Sequence, residues 1–419
     1  MHLIHRKTCR ICGSSSLTKV IDLGEQHLQG SFVKAGKELP PSRKIPLRLL
    51  RCDTSRDERA CGLLQLEHST PPEILYSAYW YRSGTNQTMR THLAGIAREA
   101  IAIAGKPGAR VLDIGCNDGT LLDQYPADYT KFGVDPSDVA QTVKGATVVQ
   151  DTFPSPRLAA LYGRERFDVV TSIAMFYDLE DPVAFARAVA EVLAPDGVWM
   201  VELAYLPRML ENDSYDTICH EHLEYYSLAV LERIAREAGL RVVRASLNDI
   251  NGGSIRCAIA HASSAKRASA EDQRTVSALR QAEFEQLLDT DEPYRAFQRR
   301  IERHREELGG LVRKLKREGK RIHVYGASTK GNTILQWCGI DNSMIECAAD
   351  RNPDKHGART LGTDIPIVSE EESRAMRPDY YLVLPWHFRA EFLERERATI
   401  ERGCGLIFPL PKVEIVRKS

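Results

Sequence analysis

Nine residues, Val-Leu-Asp-Ile-Gly-Cys-Asn-Asp-Gly from Val111 to Gly119, constrain this chain more than any other segment. The apolar run Arg110–Ile114 reads as a buried strand feeding a glycine turn, with Asp113 at its start. An apolar, helix-like stretch follows, and then a second strand-like run ending in Phe132-Gly133-Val134-Asp135. This is the plan of a Rossmann-like α/β unit. Gly115 and Gly119 let the backbone approach a ligand closely. The carboxylate of Asp135, followed by Pro136, can accept both hydroxyls of an adenosyl ribose. The dinucleotide fingerprint requires Gly-x-Gly-x-x-Gly with a pyrophosphate at the helix start. Here the turn carries Asn117 and Asp118, and two carboxylates beside the helix start repel a pyrophosphate. They suit a zwitterionic, sulfonium-bearing ligand, and the segment is read as an S-adenosylmethionine site. A nucleotide-binding Rossmann loop is the alternative.

At 419 residues two or three domains are expected. Lys plus Arg equals Asp plus Glu, 57 each, so no global field recruits nucleic acid or an anionic membrane. No apolar run approaches a membrane span, and Met1–Arg6 has no secretory apolar core. Ten cysteines without such a leader argue for reduced thiols or metal rather than disulfides. A cytoplasmic location is expected, with no nucleic acid, membrane or obligatory protein partner.

Residues 1–80 hold four of the cysteines and few periodic runs, and are read as a zinc-binding module. Residues 81–262 alternate strand-like segments (Ala109–Ile114, Lys131–Val134, Thr147–Val149, Asp168–Ile173, Gly197–Leu203, Arg241–Ala245, Arg256–Ala262) with helix-like ones such as Pro182–Leu193 and Ala229–Gly239. That alternation predicts a mainly parallel sheet with helices on both faces. Residues 263–320 are highly charged with apolar residues at helical spacing, and read as a solvated helical connector. Residues 321–419 restart the α/β plan with Arg321–Tyr325, the turn Gly326–Asn332, a helix to Gly339 and a strand to Asp350. The two α/β regions share one design, which internal duplication or generic Rossmann architecture would equally produce.

Cys9-x2-Cys12 and Cys52-x8-Cys61 supply four thiolates for a tetrahedral, structural Zn²⁺. Free thiols, with His5 as a substitute ligand, are the alternative. A small module with so little core favours a metal staple. Asp151, after the third strand, is placed to accept from an adenine amino group while Phe153 covers the ring beside Thr152, or else Asp151 is a local cap. Phe176 and Tyr177 lie beyond the fourth strand's carboxyl end, where open α/β sheets bind ligands; they wall the methionine end or simply pack. His220-Glu221-His222 is not the zinc-protease spacing. By itself it reads as a structural cluster; placed after the fifth strand, it is a candidate base cluster, since neutral histidine takes a proton near pH 7. The Tyr79–Tyr81 segment either lines a cleft or packs at a domain junction, and Asn251-Gly252-Gly253-Ser254 is turn chemistry first.

In this order the pieces resemble the sugar C-methyltransferase family, enzymes that methylate a carbon of nucleotide-linked keto sugars in antibiotic and surface-glycan pathways. The resemblance spans essentially the whole chain. It rests on His220-Glu221-His222 with Tyr225-Tyr226-Ser227, on Gly252-Gly253-Ser254-x-Arg256, on Tyr325-Gly326-Ala327-x-x-Lys330-Gly331-Asn332-Thr333, on Asp350-Arg351-Asn352-Pro353-x-Lys355, and on Pro385-Trp386-His387-Phe388. It implies His222 as the base, assisted by Glu221 and a tyrosine of the Tyr79–Tyr81 segment, Tyr81 before Tyr79; His220 is the further candidate from the cluster. It also implies a C-terminal Rossmann-like domain for the nucleotide sugar; a diphosphate needs donors and cations, for which Lys330, Asn332, Arg351 and Lys355 are candidates unless they are surface charge, and Asn251, Ser254, Arg256, Trp386 and His387 are the further candidate substrate contacts. Cys219 stands where well-known members carry tyrosine. A methyltransferase for another small acceptor and a non-catalytic zinc scaffold are the rival expectations.

Overall fold

The computed structural model describes residues 3–34, 43–71, 74–75, 80–266 and 268–418. Three sheets carry the architecture. The N-terminal module is built on strands β1 (Leu17–Gln26), β2 (Ile45–Cys52) and β3 (Leu64–Leu66), paired antiparallel. In β2 the alternating Ile45, Leu47 and Leu49 are fully buried, which is the period-2 signature of a strand with one core face. The sequence reading placed no strand here. Two register shifts in the β1–β2 ladder break the alternation along β1.

The central region contributes β4 (Arg110–Ile114), β5 (Thr130–Asp135), β6 (Thr147–Gln150), β7 (Phe167–Ile173), β8 (Leu193–Ala204), the two-residue β9 (Glu224–Tyr225), β10 (Leu240–Asn248) and β11 (Ser254–His261). Seven of these form one sheet in the order β10–β11–β8–β7–β4–β5–β6. Only β11 runs antiparallel to its neighbours, as a mainly parallel doubly wound sheet allows. Helix α1 (Gln87–Ala104) starts at Asn86, whose side chain accepts from the Thr88 and Met89 amides, and ends at Gly105 with φ 66°. It lays Met89, Leu93, Ile96, Ala97 and Ala100 on the sheet at helical spacing.

Strand β9 belongs to neither edge of that sheet. It pairs antiparallel with β3, Glu224 opposite Gln65 and Tyr225 opposite Leu64, so the N-terminal sheet reads β9–β3–β2–β1.

Helices α2 (Ala270–Glu285) and α3 (Glu292–Arg317) follow. The expectation of a solvated connector does not hold for α3, and α2, though it leaves Phe284 72% exposed, also buries Val276 and Glu283 against the central unit. Tyr294, Phe297, Ile301, Leu308 and Val312 are completely buried on one face of α3, in the same apolar cluster as the C-terminal sheet. Its many charges occupy the opposite face, so composition hid an amphipathic helix. Truncating Ile301 to Ala would cost about 2–5 kcal/mol.

The C-terminal region holds β12 (Ile322–Tyr325), helix α4 (Thr329–Cys338), β13 (Ala348–Asp350), β14 (Ile367–Ser369), β15 (Tyr380–Val383), β16 (Gly405–Phe408) and β17 (Glu414–Val416). The sheet order is β14–β13–β12–β15–β16–β17, parallel except for β17. Phe32–Val33 of the N-terminal module pairs with Arg359–Thr360 of this region, so the module is stitched to both α/β units.

The two units share their wiring. Gly115 (φ 78°) and Gly326 (φ 84°) make the turns after β4 and β12. The Asn117 amide donates to Asp135 Oδ2 at 2.9 Å, and the Ala327 amide to Asp350 Oδ2 at 2.8 Å. The other oxygen of each aspartate accepts the amide two residues on, from Ser137 and Asn352, at 2.8 Å in both cases. Among the described residues no helix is long and apolar enough to cross a membrane.

Candidate active site and metal centre

Cys9 and Cys12 sit on a tight knuckle: the Cys9 amide donates to Ser14 O, and the Gly13 amide to Cys9 O at 3.0 Å. Cys52 ends β2, and Cys61 follows after a loop. That loop, the stretched spacer of the sequence, is folded by Asp53, which accepts from Ser55, and by Asp57, which accepts from Ser14 Oγ at 2.6 Å. All four Sγ atoms lie within 4.8 Å of one another, with Cys9–Cys61 at 3.4 Å and Cys12–Cys52 at 3.5 Å. Four sulfurs about 2.3 Å from a zinc are spaced by roughly 3.8 Å, so the thiolates fit a closed tetrahedral site. His5 takes no part; it stacks on His68 at 4.9 Å.

The turn after β4 is lined by Asp113, Asp118 and Asp135, a donor set suited to a sulfonium zwitterion rather than to a diphosphate. Asp113 is buried and accepts from Thr171 Oγ1 at 2.6 Å. Burial, with the Asp135 charge adding to it, pushes its pKa up to about 7. Asp135 accepts from Asn117 N, Ser137 N and Ser137 Oγ, which holds the turn and leaves one lone pair, on Oδ2, for a hydroxyl donor. Pro136 follows it, its carbonyl accepting from Gln150 Nε2. Gly119 packs so closely that an added Cβ would stand 2.6 Å from Val143. Asn117 and Asp118, the departures from the usual small residues, receive the entry segment. Asn117 Nδ2 donates to Tyr81 O, and its Oδ1 accepts from Ser83 N at 3.0 Å; Asp118 Oδ2 accepts from Gly84 N at 2.8 Å. The Tyr81 side chain is half exposed beside this turn, whereas Tyr79 lies outside the described residues.

Asp151 accepts from Ser155 Oγ at 2.6 Å and from Thr152 N, and Ser155 caps the helix Pro156–Tyr162. It therefore has a capping role, and Thr152 is exposed beside it. Phe153 meets Phe185 edge-on at 5.3 Å. Phe176 does not wall a ligand site. It is 1% exposed and packs among Phe185, Trp199 and Tyr226. Tyr177 instead covers the histidine segment, its ring 4.3 Å from that of His222.

The two histidines of His220-Glu221-His222 have opposite fates. His220 is buried, Nδ1 2.7 Å from Gln29 Oε1 and Nε2 3.3 Å from Ile45 O, so both ring nitrogens face acceptors inside the protein. That placement gives it a structural role and no path to a substrate. Burial lowers its pKa to about 4. His222 Nδ1 lies 2.7 Å from the Thr217 carbonyl, which only accepts, so Nδ1 carries the proton and Nε2 the lone pair. Among the described residues no partner takes Nε2. Burial, reinforced by the Lys330 charge, lowers the His222 pKa to about 3, so the ring is neutral at pH 7. Burial raises Glu221 to about 7. Its carboxyl presses on the backbone of Gly30, where an added Cβ would fall 1.8 Å from Oε1 and 3.2 Å from Thr329 Oγ1.

The expected substrate contacts divide sharply. Lys330 Nζ donates to Asn251 O at 2.9 Å, and Trp386 Nε1 donates to Asp216 Oδ2 at 2.9 Å, so Asn251, Lys330, Trp386 and Asp216 form one junction. His387 joins it. Burial and the Lys330 charge lower the His387 pKa to about 3, and its buried Nδ1 has no partner. The others are engaged elsewhere. Arg256 is held by Glu202 and Glu99, both at 2.8 Å, beneath α1. Ser254 Oγ donates to Ile250 O. Asn332 is 1% exposed and donates to Gln29 O at 2.6 Å. Arg351 pairs with Glu370 and Glu391, and Lys355 Nζ donates to Ala327 O at 2.6 Å. Arg256, Asn332, Arg351 and Lys355 are bound by neighbours that folding brings together, and Ser254 by the turn four residues before it.

Sequence reasoning missed Thr217, Asp216, Gln29 and Gly30. Thr217 acts through its carbonyl, which no side-chain pattern can reveal. Gln29 and Gly30 come from the N-terminal module and reach the site only through the paired sheets.

Three family models match in the same order: a zinc binding domain over residues 9–76, a methyltransferase domain over 87–245 and a C-methyltransferase C-terminal domain over 249–411. The chain is 30% identical over 416 residues to the C-methyltransferase NovU of Streptomyces niveus, covering 97% of this chain and 96% of that protein. It is 29% identical over 164 residues to the ubiquinone biosynthesis O-methyltransferase of Psychrobacter arcticus, covering 32% of this chain and 60% of that one. A solved magnesium protoporphyrin IX methyltransferase from Synechocystis with bound SAM overlaps 41% of this chain and 79% of its own, at 14% identity and a TM-score of 0.32.

Proposed function

Because the chain belongs to the C-methyltransferase family, an S-adenosylmethionine-dependent class with a structural zinc centre, we propose that it methylates a carbon next to the ketone of a nucleotide-linked deoxy keto sugar. The observation that carries this reading is the Nδ1 contact of His222 with the Thr217 carbonyl, which leaves a neutral Nε2 as a base. Carbon methylation differs from oxygen methylation in needing such a base at carbon. The α-hydrogen of a ketone must leave before the carbon becomes nucleophilic, and the charge that moves to the ketone oxygen needs a donor or cation beside it. S-adenosylmethionine, when bound at the β4 turn, supplies an electrophilic methyl group. Asp135 would hold its ribose, and the acidic turn would favour its positive charge. Tyr177 shields one face of the base, and Glu221 flanks it. The C-terminal unit, with its own glycine turn at Gly326 close to Lys330, is the part of the chain left to receive the nucleotide.

The test is incubation with S-adenosylmethionine and a panel of nucleoside-diphosphate keto sugars, read by mass. A gain of one methyl on the sugar fragment, whose NMR signal is that of a methyl bound to carbon rather than to oxygen, supports carbon methylation of the sugar. No product from any keto sugar, with turnover of a phenol or catechol acceptor instead, overturns it.

A further inference from the structure

Lys330 lies on the helix that packs against the His222 segment, where Thr333 Oγ1 donates to Ile218 O at 3.2 Å, and its environment is unusual for a lysine. It is the second residue of α4, partly buried, and among the described residues its ammonium makes one hydrogen bond, to the carbonyl of Asn251. Among the described residues no carboxylate lies within ion-pair distance of it. The nearest acidic influence is Asp216, but that carboxylate is drawn the other way: Oδ2 accepts from the Trp386 indole, and Oδ1 is buried without a partner. Desolvation lowers the Lys330 pKa, with Asp216 opposing it, so negative charge arriving beside the amine favours its charged form. Its field already reaches two rings of the site, depressing both His222 and His387.

We propose that Lys330 is the catalytic cation that receives the ketone oxygen when His222 takes the α-proton. This rests on the keto-sugar reading and adds the electrophile that reading requires. In the step, the C–H bond breaks and its proton goes to His222 Nε2. The C–H pair becomes the new C=C bond, and the carbonyl π pair moves onto oxygen, where it accepts a hydrogen bond from Lys330 Nζ. No oxidant or further reactant enters. A preformed cation gains most where charge develops, and here the low-dielectric junction amplifies it. The competing role, pairing with the substrate diphosphate, would use the same ammonium for ground-state binding and predicts different kinetics.

The test is solvent-deuterium exchange at the α-carbon of a nucleoside-diphosphate 4-keto-6-deoxyhexose, with S-adenosylhomocysteine in place of the methyl donor. Wild-type exchange comes first: its absence, with no methylation either, overturns the keto-sugar reading and not the assignment of Lys330 alone. Given wild-type exchange, Lys330→Met should lose it by about 10²–10³-fold at saturating sugar while binding S-adenosylmethionine normally. Its acid limb, set by His222 among Thr217 O, the Tyr177 ring and Lys330, should also move up toward pH 6.5. Lys330→Gln, which keeps a donor for Asn251 O, guards against a folding defect and should show the same loss. Exchange kept at the wild-type rate, or a raised KM for the sugar with kcat unchanged, overturns the proposal in favour of diphosphate binding.

Discussion

The Nδ1 of His222 stands 2.7 Å from the carbonyl oxygen of Thr217, five residues earlier in the chain. That single contact fixes the tautomer and aims the lone pair of Nε2 away from the backbone. A positioned general base contributes on the order of 10²–10⁴ in rate. His222→Ala is therefore expected to lose methylation by that order while S-adenosylmethionine affinity, read by calorimetry, stays within twofold. His220→Asn, by contrast, should act on thermal stability more than on turnover, because His220 spends both ring nitrogens on Gln29 and Ile45.

Glu221 yields a prediction about pH. Its folded pKa is raised by burial to about 7, above the unfolded carboxylate range near 4.5, so the folded state binds the extra proton. The favourable contribution is complete below about pH 4.5 and is lost as pH rises through 7. Glu221→Gln cannot ionise. Denaturant unfolding should find the variant no different from wild type at pH 4.5 and more stable than it at pH 8. Equal stability at both values would show that the carboxyl is not buried against Gly30.

Asp135 holds the glycine turn through Asn117 and Ser137, and its remaining Oδ2 lone pair is the proposed acceptor for a ribose hydroxyl. Charge-assisted hydrogen bonds contribute about 1.5–3 kcal/mol each. Asp135→Ala should weaken S-adenosylmethionine binding by at least about tenfold, which corresponds to about 1.4 kcal/mol. Titration calorimetry on a folded variant with unchanged affinity would remove Asp135 from the site.

Metal analysis of the purified protein should find about one zinc per chain. Cys12→Ser should lower both the melting temperature and the activity, because the strand that follows His222 pairs with β3 of the zinc-bearing module. A metal-free sample with full activity would contradict the assignment of the four thiolates.

Much of this was legible in the sequence, and the reasons are local. The β4 turn, the four cysteines and the ends of the parallel strands are marked by residues whose own chemistry demands that conformation. Gly115 is one such residue, at a positive φ. The burial of α3 was also written there, in the spacing of Tyr294, Phe297, Ile301, Leu308 and Val312, but charge count obscured it. What was not legible depends on pairings between distant segments. Arg256, Asn332 and Lys355 have the right chemistry for a substrate, and only the folded neighbours Glu202, Gln29 and Ala327 show that it is already used. Strand β9 has two residues, too few for any periodicity to show.

That short strand has a consequence for how the chain is made. During synthesis the N-terminal module leaves the ribosome with the β3 edge uncovered, and its cover, Glu224–Tyr225, comes only after most of the central unit has been translated. An open edge invites pairing with other chains, and long-range closure is slow. The early module must therefore wait, in the crowded cell, for a partner strand that also carries the proposed base into place. Truncated nascent chains ending before Tyr225 should aggregate or recruit chaperones, and modules exchanged between relatives should work only when β3 and β9 travel together.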